Sequence, residues 1–180
     1  LRSTPNLNLI RPADTVETAE AWDIALKTNG PTVLALSRQG LRAFRCEKSS
    51  ENKVSKGGYL VNDISSKRDL TLIATGSEVE IAMEASELLI AEGINASVVS
   101  LPCWELFDKQ DETYKKEILG NSPRIAIEAA CDMGWSKYIG DNGVFIGMKS
   151  FGASGPADQL YKHFGINSEA IVKQAISIIK

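Results

Sequence analysis

The sequence contains few of the residues on which acid–base and metal chemistry most often depends, with one histidine and three cysteines among 180 residues. The single His163 excludes zinc sites built on histidine pairs and catalytic arrangements rich in histidine. Cys46, Cys103 and Cys131 are odd in number and form no Cys-x-x-Cys pair. This pattern favours small buried thiols in a reducing compartment over disulfides or a metal site. We therefore expect a cytoplasmic protein.

Excess charge of either sign and long apolar runs are also absent. The net charge is −3, and 24% of the residues are charged, so no basic surface for nucleic acid is expected. No apolar run approaches the roughly 20 residues that a membrane-spanning helix needs, and no membrane partner is expected. With 43% hydrophobic residues, the chain can bury the core of one domain and part of another.

One stretch organises the chain. Leu70–Ala74 is a short apolar run, typical of a strand buried on both faces. Ser77 and Glu80 have the spacing of a capping box that begins a helix, and Gly93 is placed to end it. Ala96–Leu101 supplies the next strand, which completes a right-handed βαβ unit. The helix pattern places Glu80, Glu84 and Glu87 toward solvent and Val79, Ala82, Met83, Leu89 and Ile90 toward a sheet.

Strands and helices alternate along the rest of the chain too. Residues 7–10 and 32–36 are strand-like and flank a helix that a second capping box, Asp14 with Glu17, begins. Further strands are expected at 124–130 and 144–148. Further helices are expected at 111–119 and from Asn167 to Ile179. This alternation predicts an α/β fold.

Two positions could bind an anion, because ligands collect at the carboxyl ends of parallel strands. Arg38 follows the strand at 32–36, and its guanidinium could grip a phosphate with two parallel hydrogen bonds. The alternative is an ordinary surface arginine. Gly76 and Ser77 could offer backbone N–H groups at a helix start, with Glu128, Trp104 and Asp132 around the same crevice. The alternative there is a capped helix beside a buried carboxylate.

Four motifs, in order, resemble transketolase. They are Arg11–Asp14 followed by Leu36–Gln39, Pro102–Phe107, Phe151–Ala157 and Leu160–Gly165. The resemblance covers nearly the whole chain. It implies that residues 1–45 are the end of the pyrimidine-binding domain, that 46–56 are a polar linker, and that 57–180 form the complete C-terminal domain. It also implies a three-layer α/β/α domain with a mixed, mostly parallel five-stranded sheet, in which residues 57–61 are an antiparallel edge strand.

The resemblance implies an activity for a longer parent enzyme. That enzyme would use thiamine diphosphate and Mg²⁺ or Ca²⁺ to move a two-carbon ketol unit between sugar phosphates in the pentose phosphate pathway, as a homodimer. Arg38 corresponds to the arginine that contacts the substrate phosphate. The family's metal-binding segment and thiamine-contacting glutamate cannot be placed in this sequence. The Gly140–Gly143 turn only superficially resembles the metal loop, and His163 fits a packing role. The isolated chain is expected to be inactive and to bind no cofactor.

Two alternatives stay open at this point. One is a sister thiamine enzyme, such as deoxyxylulose-phosphate synthase, a formaldehyde-using transketolase or the beta subunit of a 2-oxoacid dehydrogenase. The motifs at Trp104–Phe107 and Phe151–Pro156 argue against the first and the third of these. The other is a free-standing regulatory module that binds an anion at Gly76 and Ser77. In either case residues 1–45 have open strand edges, so we expect them to lean on the C-terminal part or to pair with another copy.

Overall fold

The computed structural model describes residues 1–46, 49–62, 64 and 67–180, which form two sheets. The strands are β1 (Asn8–Ile10), β2 (Thr32–Leu34), β3 (Tyr59–Asn62), β4 (Leu70–Ala74), β5 (Ala96–Ser100), β6 (Arg124–Glu128) and β7 (Val144–Gly147). The helices are α1 (Thr15–Lys27), α2 (Glu78–Ala91), α3 (Trp104–Asp108), α4 (Glu112–Leu119), α5 (Ser136–Ile139), α6 (Ala157–Phe164) and α7 (Ser168–Ile179). A short 3₁₀ helix occupies Lys53–Lys56. No helix in these ranges has the length and apolar character needed to cross a bilayer.

The larger sheet confirms the predicted mixed topology. Its strand order is β3-β5-β4-β6-β7, with β3 antiparallel to β5 and the other neighbours parallel. The smaller sheet consists of β1 and β2, which pair in parallel. The carboxyl ends of β1 and β2 therefore lie at one edge of their sheet.

Helices cover both faces of the larger sheet, which explains why its central strands are apolar throughout. On one face, alternate side chains of β4, β5 and β6 pack in one cluster with residues of α2 and α7. On the other face, Ile73, Val99 and Ala126 pack in a second cluster with aromatic residues from α3, α5 and the segment before α5. The structure thus confirms an α/β fold with helices on each side.

The unit β4-α2-β5 confirms most of the expected pattern and corrects two details. Gly93 ends α2 in a left-handed conformation, φ 73°, and Ile94 N–H donates to Leu89 O. The capping box is wrong, because the Ser77 side chain makes no cap hydrogen bond. Its hydroxyl is used instead by the buried Glu78, as described below. Ile90 is 63% exposed rather than buried, since it lies about 100° around the helix from Leu89.

The second capping box is half right. Asp14 accepts from Glu17 N–H at 2.8 Å, as expected for an N-cap. Glu17 does not reach back to Asp14, however; it accepts from Ala13 N–H at 2.7 Å and turns toward the larger sheet. There it accepts from the hydroxyls of Tyr59 (2.7 Å) and Ser100 (2.6 Å).

Residues 1–45 lean on the larger sheet, one of the two outcomes expected for them. Ile10, Ala21 and Ile24 from this segment form a third apolar cluster with Val54 and Cys103. The fully buried Val54 lies in the 3₁₀ helix, inside a stretch whose polar composition predicts only a surface loop. Residues 47 and 48 of that stretch lie outside the described ranges.

Candidate functional site

Arg38 lies just beyond the carboxyl end of β2, and its side chain is exposed. The strand pairing continues one residue past β2, where Ala35 N–H donates to Ile10 O at 2.9 Å. Within the described ranges, no hydrogen bond or ion pair involves the Arg38 side chain. Among the described residues, its guanidinium therefore has no partner at this edge of the smaller sheet.

A small cavity lies beside Arg38. Its volume is about 250 Å³, and its lining comprises Pro12, Asp14, Thr15, Thr18, Leu36, Ser37, Gln39 and Leu41. The neighbours of Arg38 on both sides line this cavity, whereas Arg38 itself does not. The cavity offers hydroxyl and amide groups and the carboxylate of Asp14, which accepts from the backbone N–H groups of Glu17 and Arg45. The guanidinium of Arg38 next to it offers positive charge. That Arg38 binds a phosphate stays a prediction.

At the start of α2, the N–H of Gly76, one of the two backbone groups expected to bind an anion, and the hydroxyl of Ser77 already have partners inside the chain. Gly76 N–H donates to Arg11 O at 3.0 Å. The Ser77 hydroxyl donates to Glu78 at 2.8 Å and lies 3.0 Å from the Tyr161 hydroxyl. The Tyr161 hydroxyl also donates to Glu78. This strand-end crevice is therefore closed by internal hydrogen bonds.

The carboxylates of Glu78 and Glu128 lie in this crevice almost fully buried, and two arginines balance their charge. Arg11 bridges both carboxylates, with a nitrogen 3.0 Å from Glu78 and another in contact with Glu128. Arg2 forms two hydrogen bonds to Glu128, of 2.6 and 2.8 Å. The indole N–H of Trp135 donates to the same carboxylate at 2.8 Å. Arg2 and Arg11 thus occupy the crevice in which the sequence predicted a possible anion site.

Burial and nearby charges have opposite effects on the ionisation of Glu128 and Arg11. Burial alone would raise the pKa of Glu128, but the hydrogen bond from Arg2 and the charges of Arg11 and Arg2 outweigh burial and lower it. Burial likewise disfavours the charged form of Arg11, but the nearby charges of Glu78 and Glu128 raise its pKa above the ordinary value. Both groups are therefore held in their charged forms.

Arg11 is tied to the larger sheet through its backbone as well. Its N–H donates to Pro102 O at 2.9 Å, and its carbonyl accepts from Gly76 N–H at 3.0 Å and from the Thr75 hydroxyl at 3.4 Å. Sequence reasoning missed Arg11 as a buried residue. The available signal was an arginine directly after a strand that ends at the same edge as Arg38.

The structure brings Trp104 to the crevice but leaves Asp132 outside it. The guanidinium of Arg2 lies over the Trp104 ring, 3.7 Å from its centre. Asp132 is exposed and lines a separate, open cavity of about 950 Å³ near the ends of β6 and β7. Trp135 contributes to both places. Of the crevice residues named from sequence, Trp104 and Glu128 therefore lie together, while Asp132 does not join them.

Glu17 forms a second buried polar site that sequence reasoning treated only as a helix cap. Burial raises the pKa of Glu17 to about 7, although the hydrogen bonds from Ser100, Tyr59 and Ala13 act in the opposite direction. Its partners are neutral donors, unlike those of Glu128. A carboxyl with this pKa changes its protonation near neutral pH.

The remaining candidates, His163 and the three cysteines, form no catalytic or metal-binding group in the described part of the chain. His163 is exposed and packs edge-on against Phe164, with ring centres 4.9 Å apart. Within the described ranges, no group of three or more His, Cys, Asp or Glu side chains is placed to hold a metal ion. The cysteines are free, as expected, but Cys46 and Cys131 are exposed and only Cys103 is buried. The expectation of buried thiols is therefore wrong for two of the three.

Comparison with known proteins gives a consistent result along the chain. Residues 1–43 match the family model of the transketolase pyrimidine-binding domain, and residues 57–167 match that of the transketolase-like C-terminal domain. The chain is 53% identical over its full length to a transketolase from Sinorhizobium medicae, and 54% identical over 97% of its length to one from Cereibacter sphaeroides. It covers 26% and 27% of those two proteins.

A solved structure agrees with these matches. A transketolase from Pichia stipitis, solved in complex with sedoheptulose 7-phosphate, superimposes with a TM-score of 0.89 and 41% identity. The match covers 99% of this chain and 26% of that protein. The chain thus spans about a quarter of the length of the relatives it matches.

Proposed function

The chain belongs to the transketolase family, and from this membership we propose that it is the C-terminal segment of a thiamine-diphosphate-dependent ketol transferase. The parent enzyme would move a two-carbon unit from a ketose phosphate to an aldose phosphate. In this proposal residues 1–45 end the pyrimidine-binding domain, 46–56 link the domains, and 57–180 form the C-terminal domain. The parent would act as a cytoplasmic homodimer in the pentose phosphate pathway.

Within this segment, Arg38 would bind the substrate phosphate. The observation that carries this role is the exposed guanidinium at the carboxyl end of β2, which has no partner among the described residues and lies beside the cavity lined by Ser37 and Gln39. A phosphate offers oxygens in the geometry that an arginine fork matches. The crevice near Glu128 is a poorer candidate, because its two arginines are already paired with its own carboxylates.

The cofactor would be held by parts of the parent outside this segment. The described residues offer no cluster of ligands for Mg²⁺ or Ca²⁺. Bound thiamine diphosphate would supply stabilisation of the carbanion formed from the donor sugar. This chain's residues would orient the sugar phosphate and support the domain assembly. The isolated chain would therefore be inactive.

The role of Arg38 is tested by Arg38→Ala in the parent enzyme. A contact to a phosphate remote from the reacting bonds stabilises ground and transition states alike, so the variant should mainly raise KM. Losing a charge-assisted hydrogen bond of about 1.5–3 kcal/mol should lower kcat/KM for phosphorylated sugars by roughly 10- to 150-fold. Arg38→Lys should recover only part of this loss.

The matched control is Arg42→Ala, which removes another exposed arginine four residues away and should leave kcat/KM unchanged. A ketose donor without a phosphate should be affected far less by Arg38→Ala. Equal losses on both donors would show that Arg38 supports the fold or the cofactor instead. A wild-type parent with no ketol transfer would contradict the proposed activity itself, whatever Arg38 does.

The cofactor proposal has a separate test on the isolated chain. Calorimetric titration with thiamine diphosphate in the presence of Mg²⁺ should give no heat of binding. The result expected for the parent enzyme is saturable binding under the same conditions. A micromolar dissociation constant for the isolated chain would place the cofactor site inside this segment and overturn the proposal.

A further inference from the structure

The loop that carries Arg38 is held at its two ends. Residues 36–44 follow β2 in irregular backbone. At the first end, Ala35 N–H donates to Ile10 O at 2.9 Å. Within the described ranges, no hydrogen bond joins residues 36–42 to another part of the chain. The position of the Arg38 guanidinium therefore depends on the contacts that hold the two loop ends.

Arg45 holds the far end of this loop through two contacts to α1 and its cap. Its backbone N–H donates to one carboxylate oxygen of Asp14, at 3.2 Å. Its guanidinium forms two hydrogen bonds to the carboxylate of Glu20, both 2.7 Å long. Such two-bond pairs fix the orientation of an arginine as well as its place. The start of α1 and its second turn thus fix the residue that follows the loop.

Asp14 belongs to the loop contact, to the helix cap and to the lining of the neighbouring cavity. It is only 4% exposed. One of its carboxylate oxygens accepts from Glu17 N–H at 2.8 Å and caps α1, while the other accepts from Arg45 N–H. A carboxylate accepts at both oxygens, whereas an amide has one accepting oxygen and a donating NH₂ group. The observed pattern of bonds therefore requires an acid at this position.

The segment to which both loop ends are attached is itself fixed to the larger sheet. Ile10 and Asp14 lie close together in sequence, and Arg11 lies between them. Arg11 N–H donates to Pro102 O, and Arg11 O accepts from Gly76 N–H. Both loop ends are therefore attached to a segment that cannot shift without breaking its hydrogen bonds to the larger sheet.

We propose that Asp14 is a positioning residue for phosphate binding, which holds the far end of the loop so that Arg38 lies where it can bind the substrate phosphate. This inference rests on the proposed role of Arg38. Asp14 acts through the loop and does not bind the phosphate, because both groups are negatively charged. A loop that is ordered before the substrate arrives avoids the free-energy cost of ordering it on binding. Asp14 should then affect only substrates that carry a phosphate.

The test is Asp14→Asn in the parent enzyme. The amide oxygen can keep the hydrogen bond from Glu17 N–H, and asparagine caps a helix about as well as aspartate does. The NH₂ group then faces the N–H of Arg45, and two donors cannot bond to each other. The variant therefore removes the loop contact and keeps the helix cap. KM and kcat are measured with a phosphorylated ketose donor and with a donor that lacks the phosphate.

Asp14→Asn should raise KM for the phosphorylated donor by roughly 2- to 10-fold, as expected for the loss of one hydrogen bond. It should leave kcat and the other donor unaffected, because the phosphate is remote from the reacting bonds. In an Arg38→Ala background, Asp14→Asn should have no further effect on KM. Non-additivity of this kind is expected because no guanidinium remains to be positioned.

Asp111→Asn is the matched control. Asp111 caps α4 with a hydrogen bond from Tyr114 N–H at 2.8 Å, and its side chain makes no second bond within the described ranges. This variant should leave KM and kcat unchanged for both donors. If Asp14→Asn does not fold, Arg45→Lys tests the same loop end, because an ammonium group cannot reproduce the two parallel bonds to Glu20. Arg45→Lys should raise KM for the phosphorylated donor alone.

Three results would overturn the inference. One is an unchanged KM in Asp14→Asn beside a selective loss in Arg38→Ala, which would leave the role of Arg38 intact. Another is a lowered KM for the phosphorylated donor, which would mean that the charge of Asp14 opposes the phosphate. The third is an equal rise for both donors, or the same rise in the Arg38→Ala background. An Arg38→Ala variant that loses equally on both donors would instead contradict the proposed role of Arg38, and this inference with it.

Discussion

Arg11 and Arg38 follow the two strands of the same small sheet, at the same edge, yet their environments are opposite. Arg11 is mostly buried, bridges two carboxylates and is hydrogen-bonded through its backbone to the larger sheet. Arg38 is exposed, and no partner for it lies in the described part of the chain. A position at the end of a strand therefore does not by itself decide the role of an arginine. A guanidinium that is paired with carboxylates of its own chain stabilises the fold. A guanidinium without such a partner is available to bind a ligand.

The largest effect that we expect from this comparison is a loss of stability in Arg11→Met. This change leaves Glu78 buried without a cation, and breaking a buried ion pair from one side costs about 3–5 kcal/mol. Arg38→Met should change the free energy of unfolding by no more than about 0.5 kcal/mol, as exposed substitutions usually do. Urea unfolding of both variants and the wild type gives the two values directly.

The double variant Arg11→Met with Glu78→Leu refines the measurement. If the loss arises from an unpaired carboxylate, removing that carboxylate should recover part of the stability. Equal stability losses for Arg11→Met and Arg38→Met would erase the distinction drawn between the two residues.

A second, smaller effect concerns the two buried carboxylates, Glu128 and Glu17. Arginines keep the pKa of Glu128 low, whereas burial among neutral donors raises that of Glu17 from 4.5 to about 7. A raised carboxyl pKa means that the folded state binds the proton more tightly than the unfolded state does. The contribution of Glu17 is then most favourable below about pH 4.5 and is lost as the pH rises to about 7. At 1.36 kcal/mol per pKa unit, the loss is roughly 3 kcal/mol.

Glu17→Gln should remove this part of the pH dependence. The amide is neutral at every pH, and the hydroxyls of Tyr59 and Ser100 can turn to accept from its NH₂ group. The variant should therefore gain stability relative to wild type above pH 7, and the difference should vanish near pH 4.5. Melting temperatures between pH 4.5 and 8 test this, with the exposed Glu80→Gln as control. A constant difference across the range would refute the shifted ionisation.

The smallest expected effect is none at all, for anions at the start of α2. A ligand at 100 times its dissociation constant would raise the stability by about 2.7 kcal/mol. Because Gly76 N–H already donates to Arg11 O and the arginines of the crevice are already paired with Glu78 and Glu128, inorganic phosphate or a nucleotide should give no saturable melting shift. A saturable shift that Glu78→Gln strengthens would revive the regulatory-module alternative.

Periodicity and turn chemistry in the sequence predicted most of the architecture. The apolar runs at β4, β5 and β6 are typical of strands covered on both faces. Gly93 marks the end of α2 and Asn167 the start of α7, as local rules predict. The antiparallel edge position of β3 came from the family resemblance rather than from any pattern in its residues.

The buried polar contacts could not be predicted, because they join residues far apart in sequence. Glu17 fits a capping box locally, but its carboxylate accepts hydrogen bonds from the hydroxyls of Tyr59 and Ser100 in the larger sheet. Ser77 fits a cap too, yet a buried neighbouring carboxylate takes its hydroxyl. In both cases the need of a buried carboxyl group for hydrogen bonds outweighs a local hydrogen bond of similar strength.

The sequence separation between Arg11 and its partners determines how soon its ion pairs can form during synthesis. Its partners Glu78 and Glu128 follow it by 67 and 117 residues. At roughly 5–20 residues per second, a translating ribosome takes about 6–23 seconds to add Glu128 after Arg11. Until Glu128 has been added, Arg11 cannot form the ion pair that joins β1-α1-β2 to β6. Contacts of such high sequence separation form slowly, so docking of this segment should be a late step, and the nascent chain should need protection until β6 is made.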